Sequence, residues 1–503
     1  MAETPVVEKA SRAEVARVQA DEGSESSALL GGSASPRGRS GKARARAFIY
    51  AFVAGCLCMW WISAFSRYTA LLGRHHKHLT VEQRADKILT ENPLIDGHND
   101  LMILLRYLYK NRIYGSDFKD KFENGGMPYH VDLPRLDRGK STIDPVEQQQ
   151  NTPVIDFLKL STTVTDETSD LAPAVRATLE QLDLFHRLSA AYPKYFTPAP
   201  SHRAALHAFS HSHLISPTAI EGLHQIGNSL STLRLYHRLG VRYATLTWNC
   251  HNAYADAALL TSASGDTVVA PPLWGGVSPA GRTLVAEMNR LGMMVDLSHV
   301  SVATMRDVLG GSAASKNWTG SLAPPIFSHS SAYALCPHPR NVPDDILDLV
   351  RRRGSLVMVN FSPDFISCVP ASAPGNGGLP DIYERNNTLA QVVRHVMYIG
   401  DRIGYDHVGL GTDFDGIASA PAGLEDVSRF PSLVAEMLRR GVSDRNAAKV
   451  VGRNLLRVWK EVDRVAERLQ REMPPVEDQL PDMGAMELGF DWRGELGMEA
   501  HEL

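Results

Sequence analysis

The sequence predicts an α/β protein built on a (β/α)8, TIM-like barrel, preceded by an N-terminal transmembrane helix. Three observations carry this expectation. Short apolar runs alternate with amphipathic stretches through the body of the chain, the pattern of a parallel sheet with crossover helices. Several of these runs end in His, Asp or Glu, and barrels of this kind carry their active sites at the C-terminal ends of the strands. Ahead of them, Ala47 to Phe65 forms 19 residues without a charge, near the minimum for a membrane-spanning helix.

The totals fit one large domain with appendages. A chain of 503 residues, 44% hydrophobic and 21% charged with a net charge of −4, has the composition of an ordinary globular protein. No strongly basic face is implied, so no nucleic-acid partner is expected. The five cysteines build neither a disulfide-rich scaffold nor a Cys-based zinc site, because no CxxC pair recurs.

Taken in order, residues 1–46 are rich in Ala, Ser, Gly, Glu and Arg and are expected to form a disordered cytoplasmic arm. Residues 47–66 read as an uncleaved signal anchor in the lipid bilayer, with Trp60 and Trp61 suited to a membrane interface. A cleaved signal peptide would begin nearer the N-terminus and have a shorter apolar core. Arg37, Arg39, Lys42, Arg44 and Arg46 crowd the preceding flank. The positive-inside tendency then gives a single-pass type II membrane protein with its main body extracellular or lumenal. Asn317 and Asn386 stand in glycosylation sequons there, while the Asn360 sequon sits in an apolar run and is a poor acceptor.

Residues 67–84 read as a basic stalk, 85–472 as the barrel domain and 473–503 as a mobile acidic tail. Strand-like runs fall at Leu94–Asp96, His213–Ile220, Arg242–Thr247, Met293–Leu297, Pro325–Phe327, Ser355–Phe361 and His407–Gly411. Helical stretches fall between several of them, at Ala174–Leu188, Leu230–Leu239 and Ala280–Leu291. A charged helix is expected from Val458 to about Glu472. The eighth strand should lie between Leu133 and Ala172, where the sequence is unusually polar; Pro153–Thr163 is the sole candidate.

The chemistry collects at the strand ends. His98-x-Asp100 closes the first run, and residues two apart on a strand point the same way. Glu221 closes the second run, and His299 and His329 close two later ones; Asp413 and Asp415 follow the last. A lone histidine at a strand end is more often a hydrogen-bonded loop residue. Several strands ending in His, Asp or Glu supply what a two-zinc site needs, three histidines and two carboxylates, one of them bridging the metals. Zinc lowers the pKa of its bound water to about 7, making a bridging hydroxide the nucleophile. A further, unligated carboxylate then shuttles a proton to the leaving group.

The ordered segments DGHND (96–100), EG (221–222), DLSH (296–299), FSHSSA (327–332), RNVPDD (340–345) and GTDFDG (411–416) resemble the membrane (renal) dipeptidase family of zinc peptidases. The similarity runs from about Val81 to Val462, with GLEDV at 423–427 and GRNLLRV at 452–458 extending it past the ligands. The resemblance implies a barrel of the metal-dependent hydrolase type, two zinc ions per chain, and hydrolysis of dipeptides. His98 and Asp100 would bind one zinc, His299 and His329 the other, with Glu221 bridging. Arg340 would hold the substrate's terminal carboxylate, a role suited to guanidinium. Asp413 would handle the proton of the leaving amine; for Asp415 a turn role before Gly416 is preferred. The resemblance also implies a Cys336–Cys368 disulfide, and dimerisation is expected from it alone.

Two departures stand out. Where the family carries a substrate-contacting histidine this chain has Trp248, which donates one hydrogen bond and takes no charge. His251 replaces that histidine if its loop bends inward; otherwise it is a loop residue. In addition, the polar stretch Ser141–Asp170 lacks the family's Gly-Gly-aromatic strand and its cysteine, leaving Cys250 as a candidate free thiol. Three functions follow: a membrane-anchored zinc dipeptidase, a zinc-binding but catalytically impaired dipeptidase-like binding protein, or another binuclear hydrolase acting on cyclic amides or phosphoesters. A carboxylate-bearing substrate at Arg340 speaks against the phosphoester.

Overall fold

Eight short strands, all parallel to their neighbours, close into a barrel in chain order. The computed structural model describes residues 50, 52–65, 79–139, 149–155, 171–262, 265–311, 318–372 and 377–477. The strands are β1 (Leu94–Asn99), β2 (Gln149–Ile155), β3 (Thr218–Glu221), β4 (Val241–Thr245), β5 (Met294–Asp296), β6 (Ile326–Phe327), β7 (Leu356–Val359) and β8 (Val408–Leu410). Pairing of β1 with both β2 and β8 completes the ring. Residues alternate between two environments, as the strand period requires. Ile220, Val295, Phe327, Val357 and Leu410 join the large core cluster beneath the helices. Ile95, Tyr243, Met294, Ile326 and Met358 form the second cluster.

The expected helices at 174–188, 230–239 and 280–291 are present as Ala172–Ala191, Leu230–Arg238 and Pro279–Leu291. Their starts follow local capping chemistry: Ser229 and Ser278 each accept a backbone N–H of the first turn through their side chains. The last helix, Asn454–Glu472, buries Leu455, Leu456, Trp459, Val462, Val465 and Leu469, a 3.6-residue stripe. These residues share the second cluster with the strands. Asn454 Nδ2 donates to Val408 O at 2.9 Å, and Arg457 Nη1 to Gly354 O at 2.7 Å. A side chain at Gly452 would lie 2.0 Å from Pro93 O. The GRNLLRV segment therefore fastens the beginnings of β1, β7 and β8.

Three expectations are corrected. The eighth strand runs over Gln149–Ile155, ahead of the 153–163 expectation, because its register is set by backbone pairing of Leu94, Ile95 and Asp96 with Gln149, Gln150 and Asn151. Backbone pairing is indifferent to the polar residue types that hid the strand from a pattern reading. The stalk ends sooner than expected: Thr80 and Gln83 form a capping box that starts a helix at Val81. Residues 473–477, read as the start of a mobile tail, are held, with Arg234 Nη1 donating to Val476 O at 2.7 Å. The expected 1–46 arm, most of the 67–84 stalk, Asn317, residues 156–163 and the tail from 478 lie outside the described residues.

The N-terminal 78 residues form a separate unit. Within it residues 52–65 are helical, and Trp60 and Trp61 are exposed. No helix among the described residues is long and apolar enough to cross a membrane.

Cys336 and Cys368 form a disulfide, joining the segment after β6 to the segment after β7. Cys250 is buried and lies outside that disulfide.

Candidate metal centre and substrate site

Six of the strand-end residues come together. His98 Nε2, His299 Nε2 and His329 Nε2 lie 3.4, 2.8 and 3.2 Å from one atom, Glu221 Oε1. His98 Nε2 is also 3.5 Å from Asp100 Oδ2 and 3.7 Å from Asp413 Oδ1. Two overlapping groups with metal-ligand geometry result, His98–Glu221–His329 and His98–Asp100–Asp413. Asp100 is the N-cap of helix Leu101–Tyr109, yet its carboxylate caps nothing. Asn99 Oδ1 accepts the Leu101 N–H instead, at 3.0 Å, which leaves Asp100 to face the centre.

The donor set fits divalent metal. His299 Nδ1 donates to Asn249 Oδ1 at 3.1 Å, and His329 Nδ1 meets Ser328 Oγ at 2.8 Å. The two Nε2 atoms face each other across 3.0 Å beside the Glu221 carboxylate. With Nδ1 protonated, each Nε2 would offer its lone pair to a cation placed between them. His98 Nε2 and Asp100 Oδ1 are buried without a hydrogen-bond partner, orphans that a coordinating ion would satisfy.

Electrostatics agree with this. Burial pulls His299 and His329 well below the usual imidazole range, and Arg340 and His98 add to it. Burial acts in the same direction on His98, but Glu221, Asp100 and Asp413 outweigh it and hold that imidazole well above its ordinary value. Burial raises Asp100 to about 6 against the opposing pull of His98. The three carboxylates thus favour positive charge at the position of His98 Nε2, while protonation of His299 and His329 is disfavoured, as suits metal ligands.

A frame of buried residues positions these groups, and sequence reading gave it no role. Asp96, pushed up to about 7 by burial, accepts the Thr412 N–H at 2.7 Å and Thr412 Oγ1 at 2.6 Å. Asp296 accepts the N–H groups of Ser298 and Ser328, each at 3.0 Å. These carboxylates tie β1 to β8 and β5 to β6 just where His98, His299 and His329 emerge. Asn360 Nδ2 donates to Asp413 Oδ2 at 3.0 Å while Ser362 N–H donates to Asn360 Oδ1. The buried Asn360 is therefore a positioning residue for Asp413, not an acceptor for glycans. Asn386, in contrast, is exposed. Asp96 and Asp296 sit inside the segments DGHND and DLSH, so a signal was present; for Asn249 there was none.

His299, Asp413 and Asp415 all adopt positive φ, at 69°, 65° and 68°, conformations costly for residues with a Cβ and concentrated at functional sites. Asp415 does more than turn the chain. Its Oδ1 accepts the His130 N–H at 2.9 Å, and its own N–H donates to His130 Nδ1 at 2.9 Å. Beside it, a Cβ on Gly416 would fall 1.8 Å from Asp100 Oδ2 and 2.8 Å from Asp413 Oδ1. Gly416→Ala should accordingly displace Asp100 and weaken metal binding about tenfold or more; unchanged affinity in metal titration calorimetry would refute this packing role.

Arg340 is buried, its guanidinium 4.9 Å over the Phe365 ring, with Nε and Nη2 lacking partners. Burial lowers it to about 10, and Glu221 and Asp413 oppose that fall. A buried guanidinium with free donors is a receptor for a carboxylate. Trp248 lies beside the centre, its ring 6.3 Å from that of His299. His251 is placed otherwise than the inward-bending expectation. Its Nδ1 accepts the Ala257 N–H at 3.1 Å and its Nε2 donates to Pro271 O at 2.9 Å. Both ring nitrogens are spent on its own loop because the segment turns back at Asn252 toward the Ala255–Ala257 backbone.

Together, a closed parallel barrel and a cluster of three histidines and their carboxylates at its strand ends define a metal-dependent hydrolase barrel. The family profile described as membrane dipeptidase (peptidase family M19) matches residues 82–473. Dipeptidase aclJ of Aspergillus oryzae is 41% identical over 426 residues, covering 83% of this chain and 88% of that relative. An uncharacterised dipeptidase of Schizosaccharomyces pombe is 41% identical over 408 residues, covering 81% and 89%. A Rhodobacter sphaeroides metallopeptidase solved with a phosphinate mimic of the dipeptide L-Ala-D-Ala superposes with a TM-score of 0.58 at 25% identity, covering 74% of this chain and 99% of that one. The chain belongs to the membrane dipeptidase family, and it is a metallo-dipeptidase.

Proposed function

We propose that this metallo-dipeptidase works with two zinc ions, one held by His98 and Asp100 and one by His299 and His329, with Glu221 bridging. The observation that carries the reading is the convergence of three imidazole Nε2 atoms on Glu221 Oε1. When bound, the zinc pair would supply a nucleophile from water at neutral pH and polarise the scissile carbonyl. The protein's own residues do the rest. Arg340 receives the substrate's terminal carboxylate through its unpaired N–H groups. That contact sets the distance from carboxylate to scissile bond and so favours dipeptides over longer chains. Asp413, steadied by Asn360, holds the proton passed to the leaving amine.

The anchor reading rests on the uncharged Ala47–Phe65 run and its basic N-terminal flank. It makes the enzyme a type II membrane protein with an extracellular or lumenal barrel, and the Cys336–Cys368 disulfide suits that compartment. A homodimer is proposed on family resemblance alone.

The test is hydrolysis by the zinc-loaded full chain of a panel holding L,L- and L,D-dipeptides, a lactam and a phosphomonoester. Chelator-sensitive cleavage of dipeptides, restored by zinc, is expected, with N-acetylated amides lacking a free carboxylate cleaved at least about tenfold more slowly. Cleavage of the lactam or phosphoester in preference to every dipeptide would overturn the assignment. Zinc bound with no turnover of any substrate would favour the binding-protein reading.

A further inference from the structure

Trp248 is a large apolar ring in an unusual place. It follows β4 (Val241–Thr245), between the strand ends that carry Glu221 and His299, and is half-buried. Tryptophan ordinarily contributes through about 150–250 Å² of buried surface, yet Trp248 joins neither hydrophobic cluster. The one ring it meets among the described residues is the imidazole of His299, at 6.3 Å and tilted 38°. No hydrogen bond of its indole N–H occurs among the described residues. A water-facing apolar surface beside polar metal ligands is unfavourable unless something apolar covers it.

The backbone under the ring is held firmly. Trp248 and Cys250 form an antiparallel bridge, Cys250 is buried, and Asn249 between them is bonded to His299. Across from it, Gly222 has φ +95°, and a Cβ there would lie 3.1 Å from Trp248 Cβ. The segment that follows stands on the same ligand, since Ala258 N–H donates to His299 O at 2.7 Å. It carries Val269, Leu273 and Trp274, all exposed.

We infer that Trp248 is a specificity-determining residue: the floor of an apolar subsite that selects dipeptides with a large apolar side chain, aliphatic, aromatic or thioether, over glycyl ones. The inference rests on the dipeptidase reading, because Arg340 and the metal centre fix the substrate backbone and leave its side chain to meet the ring. The glycine at 222 keeps the opposite wall open, and the rigid 248–250 turn presents the ring without an ordering cost.

The experiment compares kcat/KM for Leu-Gly, Phe-Gly, Gly-Leu, Gly-Phe and Gly-Gly in the zinc-loaded full chain and in Trp248→Ala and Trp248→Phe. Trp248→Ala should lower kcat/KM for the bulky dipeptides about tenfold or more, chiefly through KM. Gly-Gly should change by less than about threefold, and Trp248→Phe should retain most of the preference. An equal loss on all substrates, or no loss on any, would overturn the subsite. Binding gives a readout independent of turnover: in Asp413→Asn, the tryptophan emission should shift on adding Phe-Gly or Gly-Phe, and should not in Asp413→Asn/Trp248→Ala. Should Trp248→Ala fail to fold, Trp248→Phe and Trp248→Leu carry the same ratio test. A wild-type enzyme that hydrolyses no dipeptide sinks the function itself; one that hydrolyses Gly-Gly as well as the bulky dipeptides sinks the subsite alone.

Discussion

Replacing Glu221 by glutamine should remove both metal ions and lower turnover by more than about a thousandfold. The side chain keeps its shape but loses the charge, and its oxygen is the atom on which His98, His299 and His329 converge. Loss of an outer hydrogen-bond partner already costs metal sites about 10–100-fold in affinity, so loss of the central carboxylate should exceed about 100-fold. The protein should still fold, because Glu221 takes no part in the strand pairing except through its backbone. Metal content after exhaustive dialysis decides the matter, with circular dichroism as the folding control. Retention of two equivalents of zinc would refute the bridging role. His329→Ala is the companion measurement: one equivalent should be lost and the other kept, whereas retention of both would remove His329 from the ligand set.

Asp413→Asn should separate chemistry from metal binding. If Asp413 carries the proton to the leaving amine, turnover falls by about 10²–10⁴ while both zinc ions stay. The geometry sets up a genuine contest. Asp413 Oδ1 is 3.7 Å from His98 Nε2 and belongs to a group with ligand spacing, but its other oxygen is occupied by Asn360. A proton carrier predicts full metal content in the variant and a lost limb in the pH–rate profile. A ligand predicts that one equivalent of zinc leaves. Wild-type turnover would remove Asp413 from the mechanism altogether.

The groups that converge at the strand ends were legible because their residue types are costly to bury without a purpose. Histidine and carboxylate at the ends of apolar runs stand out against a core that excludes them. The residues that hold them were not. Asn249 and Asn360 are short polar residues of kinds that also make turns and sequons, and nothing in their neighbours tells which role a given one plays. His251 misled for the opposite reason: a histidine near the site invites a chemical reading, but backbone groups of its own loop satisfy both nitrogens. The barrel was legible from seven apolar strands. The polar β2 (Gln149–Ile155) was legible only roughly, since a strand between two partners is held by its backbone and can dispense with the apolar signature.

The fastening of the strand starts by the last helix has a bearing on biosynthesis. Thr412 and Asp96, bonded at 2.7 Å, are 316 positions apart, and the helix that holds β1, β7 and β8 begins only at Asn454. A nascent chain emerging from the ribosome has His98 early and lacks Asp413, the β8 partner of β1 and the closing helix until nearly all of it has been made. Contacts this distant in sequence form late. Metal capture by the complete centre is therefore an event of the finished chain, and its availability is decided where synthesis ends, not where it begins.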